Sequence, residues 1–214
     1  MMETVRKEYV QGNMELLTMI RSKSFDRATA ERVMSQITDL NDPVLDLDGY
    51  ETTYLFEAES YNNIEAVRFL LENGADPNLD IPDLINSCAL VDLHFLWEEM
   101  GEEADIRLKI AKLFFDFGAD PNLWYDGETL YDHVLWEIFT GDIPHDWEYL
   151  KRFFLLLVAY GGGEGKSNNY KPMLTEPIDK ERIWEYDFKM VQCEDGYHLE
   201  GHIINPDGRD IGIV

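Results

Sequence analysis

The chain has 214 residues, 43 of them acidic and 18 basic, with a formal net charge of −25 at pH 7. Such a charge repels nucleic acid and anionic membranes and favours basic partners. A hydrophobic content of 45% with 13% aromatic residues excludes a disordered chain. Residues 41–162 contain 26 acidic and 6 basic residues, a net charge of −20. This acidity serves either partner attraction or solubility alone, and the sequence leaves both open.

The first forty residues predict two amphipathic helices, over residues 3–21 and 27–39. Ser24 and Asp26 are both candidates for the N-cap of the second helix, because each side chain carries an oxygen that accepts from exposed helix amides. We interpret residues 1–40 as a helical cap or an atypical first repeat.

A pentapeptide is repeated letter for letter in the middle of the chain. Gly-Ala-Asp-Pro-Asn stands at 74–78 and again at 118–122, each time after an apolar helix, and a degenerate third copy ends at Gly161. The closing glycines are therefore 44 and 43 residues apart. Each glycine is expected to take the left-handed conformation that ends a helix. Self-similarity at such a period predicts stacked repeats that bury their apolar faces against one another.

The repeat unit resembles the ankyrin-repeat family, in a divergent form of bacterial type. Ten positions match the family pattern: Thr53, Leu55, Ala58, Val67, Leu70, Leu71, Gly74, Ala75, Asp76 and Asn78. Tyr54, Phe56 and Asn62-Asn63 depart from it, and residues 126–134 begin a further unit in a looser form. Thr53 and Thr129 each suit a helix start, where the hydroxyl can accept from exposed amides. The resemblance covers residues 40–162 and implies paired helices joined by projecting finger loops.

The spacing of 43–44 residues exceeds the 33 of the family, and the excess lies between the two helices of a repeat. It comprises residues 96–103 in one unit and 140–147 in the next. Insertions of this kind either extend a partner-binding surface or are tolerated loop growth, and both interpretations stay open.

The amino-acid composition changes after Gly161-Gly162-Gly163. Residues 163–182 are polar and linker-like, and from residue 183 apolar and polar side chains alternate between turn signals. This predicts a three-stranded antiparallel β-meander over residues 183–214, packed on the last repeat because it is too small to stand alone. The predicted fold is therefore mainly α, an ankyrin solenoid of three to four helix-pair repeats over residues 41–162 with a small C-terminal sheet.

Few residues have the spacing of a metal-binding or catalytic site. His198-x-Glu200-x-His202 places three ligand types on one strand face, with Cys193 nearby in the sequence, but an ordinary solvated face explains the pattern better. Asp46-x-Asp48-Gly49 lacks the remaining ligands of a calcium loop. We predict no enzyme, no cofactor and no metal, with a metal-binding or enzymatic use of the C-terminal histidines as the alternative.

The ankyrin resemblance implies a binding surface on the concave side, formed by finger tips and first helices. Mapped onto this chain, the predicted partner-binding residues are Asp46, Asp48, Tyr50, Glu57, Tyr61, Asp80, Trp124, Tyr125 and Asp126. Trp124 and Tyr125 are the strongest candidates because Trp and Tyr dominate binding hot spots. The alternative for these two is packing against a neighbouring finger.

The predicted function is non-catalytic binding of a basic protein through an acidic concave face. A sharper version is an antagonist, such as an immunity protein that neutralises a toxin nuclease; a neutral scaffold is the other alternative. Cys88 and Cys193 form no disulfide framework, which favours a reducing cytoplasm. We expect a monomer.

Overall fold

The computed structural model describes residues 10–22, 24–81, 84, 88–94, 102–125, 127–140, 147–163, 171–196 and 198–214. It divides the chain into two compact units, Met1–Asp92 and Leu93–Val214, and each is described by itself. Most of the two predicted insertions lies outside the described residues, as does Asp126. Within the described ranges, no helix combines the length and apolar character that crossing a bilayer requires.

The first unit consists of short helices and one small sheet. Its elements are β1 (Val10–Gln11), α1 (Met14–Arg21), α2 (Arg27–Met34), β2 (Val44–Leu45), β3 (Glu51–Thr52), α3 (Tyr54–Ser60), α4 (Ile64–Glu72) and α5 (Ala89–Asp92). β2 pairs with β3 in antiparallel fashion and with β1 in parallel, and we call β2–β3 with its turn the first finger hairpin. Helix α3 packs against both α1 and α4.

The N-terminal helices are shorter than the sequence predicts. Helix α1 begins at Met14, because Val10 and Gln11 pair with the first finger hairpin as β1, and residues 3–9 of the predicted helix lie outside the described residues. Helix α2 ends at Met34 rather than near residue 39. Its N-cap is Asp26, one of the two predicted candidates, which accepts from the backbone N–H of Thr29. Thr53 caps α3 in the predicted way, accepting from the N–H of Phe56 at 3.1 Å.

The second unit combines helices with a larger sheet. Its elements are α6 (Glu102–Asp116), β4 (Trp124–Tyr125), β5 (Glu128–Thr129), α7 (Leu130–Thr140), α8 (Trp147–Ala159), β6 (Met173–Leu174), a 3-10 helix (Lys180–Glu185), β7 (Asp187–Gln192), β8 (Leu199–Ile204) and β9 (Asp210–Ile213). β4 and β5 form the second finger hairpin. Helix α8 packs against α6, α7 and β7, and its apolar side chains form the centre of this core.

The C-terminal sheet has four antiparallel strands in the order β6-β9-β8-β7, not the predicted three. The additional strand, Met173–Leu174, lies in the segment interpreted as a linker and pairs with β9. The Phe188 ring of β7 contacts the Phe154 ring of α8, with 5.1 Å between centroids. Gly201 on β8 lies beneath this ring, and a Cβ added there would be 2.2 Å from Phe188 Cζ. The sheet therefore packs on α8 through Phe188, and the position of this ring requires glycine at residue 201.

The three closing glycines adopt the predicted left-handed conformation. The φ angles of Gly74, Gly118 and Gly161 are 95°, 92° and 95°. Ala75 and Ala119, which follow the first two glycines, donate back to carbonyls in the last turn of the preceding helix. These two helices are thus closed by backbone hydrogen bonds.

An asparagine joins consecutive repeats within the second unit. Asn122, the last residue of the second pentapeptide, donates from Nδ2 to the Gly161 carbonyl at 3.0 Å. Its Oδ1 accepts from the Gly163 N–H at 2.8 Å. The end of one repeat is thereby bonded to the helix end of the following repeat.

The first unit contains the same pair of bonds. Asn41 donates to the Gly74 carbonyl at 3.2 Å and accepts from the Asp76 N–H at 2.7 Å. Asn41 therefore bonds to Gly74 and Asp76 as Asn122 bonds to Gly161 and Gly163. The interpretation of residues 1–40 as a helical cap or an atypical first repeat stays a prediction. An ankyrin solenoid over residues 41–162 stays a prediction.

Candidate functional site

The tip of the first finger hairpin is shaped by one carboxylate. Asp46 Oδ1 accepts from the N–H of Asp48 at 2.9 Å and from the N–H of Tyr50 at 2.7 Å. Gly49 completes the turn with a φ of 85°. The Tyr50 side chain is 69% exposed. The tip is therefore a fixed turn that displays an aromatic ring.

Arg21, at the end of α1, connects this tip to α3. Its guanidinium donates to Asp48 Oδ2 at 2.6 Å, to Glu57 Oε2 at 2.9 Å and to Asp46 Oδ2. The guanidinium also lies over the Tyr61 ring, 5.1 Å from its centroid. Three carboxylates and one aromatic ring thus share a single cation.

Two of the predicted partner-binding residues are used inside the unit. Asp46 is 5% exposed and Glu57 is 6% exposed, so their carboxylates face Arg21 rather than a partner. Burial opposes ionisation of Asp46, but the N–H groups of Tyr50 and Asp48 and the charge of Arg21 outweigh it and lower its pKa. Burial raises the pKa of Glu57, which Arg21 offsets only in part. The sequence around Asp46 and Glu57 could not predict their burial, because their partner Arg21 lies far from both in the sequence.

The other predicted residues of the first unit lie at the surface. Asp48, Tyr50, Tyr61 and Asp80 are exposed. Asp48 is held by Arg21 and still has most of its side chain in solvent. This unit therefore exposes two tyrosines and a carboxylate that Arg21 orients.

The second finger hairpin displays the two strongest candidates. Trp124 and Tyr125 form β4, which pairs with β5 through Trp124–Thr129 and Tyr125–Glu128. Trp124 is 61% exposed, and Tyr125 is exposed as well. The hydroxyl of Thr129 accepts from the Asp132 N–H at 3.1 Å and so caps α7, as predicted. The hairpin is thus fixed to the following helix while its aromatic side chains face solvent.

A second polar cluster lies at α7. His133 Nδ1 is 2.6 Å from Glu128 Oε1, and His133 Nε2 is 3.4 Å from Glu137 Oε1. The Glu137 and Glu128 carboxylates together raise the pKa of His133 to about 9. The ring of His94, which is 3% exposed, meets the His133 ring edge to face, with 4.9 Å between centroids.

The C-terminal histidines do not converge on one point. His198 Nδ1 lies 2.9 Å from an Asp195 carboxylate, whereas His202 Nδ1 lies 2.6 Å from Asp210. Ligand atoms of Cys193, His198 and Glu200 do lie within 4.8 Å of one another. Burial and a hydrogen bond to Glu200 raise the pKa of the Cys193 thiol to about 11.

Three residues of interest were missed by sequence reasoning. Trp136 is 55% exposed on α7, on the face opposite the buried Leu130, Val134 and Ile138. The spacing of four residues between these apolar side chains could have predicted that Trp136 is exposed. Glu137 and His94 had no signal, since a partner 43 residues away cannot be read from local spacing.

Comparison with known proteins agrees with this geometry. A sequence model described as ankyrin repeat matches residues 51–81, which contain the first finger's last strand, α3, α4 and the first pentapeptide. No curated protein and no solved structure matches the chain. The match supports an ankyrin-repeat protein. Ankyrin repeats generally mediate protein–protein interaction, and the family is typically non-catalytic.

Proposed function

We propose that the protein binds a basic protein partner through the aromatic and acidic side chains of its finger hairpins. The observation that carries this proposal is the exposure of Trp124 on a strand that is hydrogen-bonded into a hairpin. A large ring on fixed backbone loses little conformational freedom on binding and contributes a large buried area. Tyr125 is exposed in the same finger and adds to that area.

The first finger offers the same combination independently. Tyr50 projects from a turn fixed by Asp46, and Asp48 is oriented by Arg21 beside it. A carboxylate that is already oriented binds a partner lysine or arginine with a smaller loss of side-chain entropy. We therefore include Asp48, Tyr50, Tyr61 and Asp80 in the proposed surface and leave out the buried Asp46 and Glu57.

The basic character of the partner follows from charge. A chain with a net charge of −25 attracts cationic proteins over long range and raises their association rate. A sharper version is an immunity protein that neutralises a basic toxin nuclease by covering its substrate-binding face. Both cysteines are free thiols, which suits a reducing cytoplasm, and the charge favours a monomer.

Capture of a partner from the host lysate at low and moderate salt tests the proposal. We expect the wild-type chain to retain a basic protein that Trp124→Ala/Tyr125→Ala does not retain. Association of the purified pair should slow as ionic strength rises, because screening shortens the range of attraction. A neutral scaffold would instead bind at a rate that does not depend on salt, and a partner indifferent to the double substitution would contradict the assigned surface.

A further inference from the structure

We propose that His94, His133 and Glu137 form a binding site for a divalent transition metal of the zinc type. Their ligand atoms, one from each residue, all lie within 4.8 Å of one another. Two imidazoles and one carboxylate are a ligand set that zinc accepts. The site lies within the second unit and does not depend on the proposed partner surface.

Each ligand is positioned by secondary structure. His133 and Glu137 are four residues apart on α7, so both side chains project from the same helix face. His94 directly follows Leu93, whose carbonyl accepts a hydrogen bond from the buried hydroxyl of Tyr149 on α8. The hydrogen bond between the Tyr149 hydroxyl and the Leu93 carbonyl therefore helps to position His94, the third ligand.

The separation of two of the ligand atoms already fits tetrahedral coordination. Zinc bonds of roughly 2.0–2.1 Å at tetrahedral angles place neighbouring ligand atoms about 3.4 Å apart. His133 Nε2 and Glu137 Oε1 are separated by 3.4 Å. One ligand nitrogen of His94 lies within 4.8 Å of ligand atoms of His133 and Glu137, so the His94 ring would have to approach them for tetrahedral coordination.

The surroundings also resemble those of metal-bound histidines. Glu128 Oε1 lies 2.6 Å from His133 Nδ1, so the nitrogen that faces Glu137 is Nε2. A carboxylate on the outer nitrogen orients a histidine ligand and strengthens its donor atom. Glu137 Oε2 is buried and has no hydrogen-bond partner among the described residues. A buried carboxylate oxygen without a donor is best satisfied by a cation.

Zinc titration of the chelator-treated full chain tests the site. We expect one zinc per chain with a Kd at or below about 1 μM, and a rise in Tm on zinc addition. Glu137→Gln and His94→Gln, each with a wild-type circular dichroism spectrum, should each weaken binding by at least about 100-fold. Glu128→Ala should weaken it by about 10–100-fold with unchanged stoichiometry, as expected of a positioning residue.

The Cys193/His198 cluster provides the matched control. The double variant Cys193→Ser/His198→Gln should bind zinc as wild type does, and X-ray absorption of the wild-type zinc complex should show imidazole ligands without a zinc–sulfur bond. The absorption measurement decides the matter even if a substitution unfolds the protein. Loss of binding in the control variant, a zinc–sulfur bond, or no saturable binding would overturn the proposal. In the last case the cluster is an ion pair of His133 with two carboxylates.

Discussion

Asn122 and Gly161 are joined by a hydrogen bond of 3.0 Å from the asparagine Nδ2 to the glycine carbonyl. The same asparagine accepts from the Gly163 N–H, so one side chain satisfies both a helix-end carbonyl and the amide beyond it. Asn122 is itself buried. The asparagine that ends the second pentapeptide therefore bonds one repeat to the next.

Asn122→Ala should lower the free energy of unfolding by about 1–3 kcal/mol, because it leaves buried backbone groups without partners. Urea unfolding of the two proteins measures the difference. Asn41→Ala is the matched comparison: its bonds to Gly74 and Asp76 are exposed, so water replaces them and the loss should be less than about 1 kcal/mol. Equal effects at the two positions would contradict this interpretation.

Arg21→Gln should destabilise the first unit by about 3–5 kcal/mol. The substitution leaves the buried carboxylates of Asp46 and Glu57 without their cation. Arg32→Gln is the control, since Arg32 pairs with Glu15 at the surface and its loss should change stability by less than about 1 kcal/mol. Chemical denaturation of both variants provides the comparison, and similar values for the two would show that the Arg21 cluster is not structural.

Gly201→Ala should destabilise the C-terminal sheet by about 1–3 kcal/mol, because the new methyl group overlaps the Phe188 ring. Phe188 cannot move aside freely, since it packs on Phe154. Thermal unfolding of Gly201→Ala, Phe188→Leu and the double variant measures their coupling. The double variant should be less destabilised than the sum of the single variants. Additive effects would show that the ring and the glycine do not contact each other.

Asp46 should contribute to stability above its unfolded-state pKa of 3.8 and lose that contribution as the pH falls through its lower folded-state pKa. The wild-type chain should therefore lose unfolding free energy below about pH 4, and Asp46→Asn should lose less. Glu57 contributes a pH dependence of the opposite sign. Its pKa is raised from 4.5 in the folded state, so the folded state binds the proton more tightly and the contribution of Glu57 to stability is lost as the pH rises through the folded-state pKa. A parallel pH dependence in wild type and Asp46→Asn would refute the assignment.

Local signals predicted the repeat ends and helix starts. The glycine φ angles and the Asp26, Thr53 and Thr129 caps agree with expectation because each depends on residues only a few positions away. The family match at residues 51–81 falls on the unit with the fullest pattern.

Features that depend on distant partners were not predictable. The strand Met173–Leu174 has only two residues and pairs with β9. Two residues are too few to show an alternation of apolar and polar side chains, so the sequence could not predict this strand. Burial of Asp46 and Glu57 depends on Arg21, 25 and 36 residues earlier in the sequence. The cluster of His94 with His133 likewise depends on how α7 packs.

The affinity of the captured partner for finger variants tests the central claim most directly. Isothermal titration calorimetry should show that Trp124→Ala/Tyr125→Ala raises the Kd by at least about 30-fold, equivalent to about 2 kcal/mol. Phe117→Ala removes an aromatic side chain that is exposed directly after α6, in neither a finger hairpin nor a first helix, and it should leave the Kd within about twofold of wild type. A partner that binds the finger variant as tightly as wild type would contradict the assignment of binding to the finger hairpins.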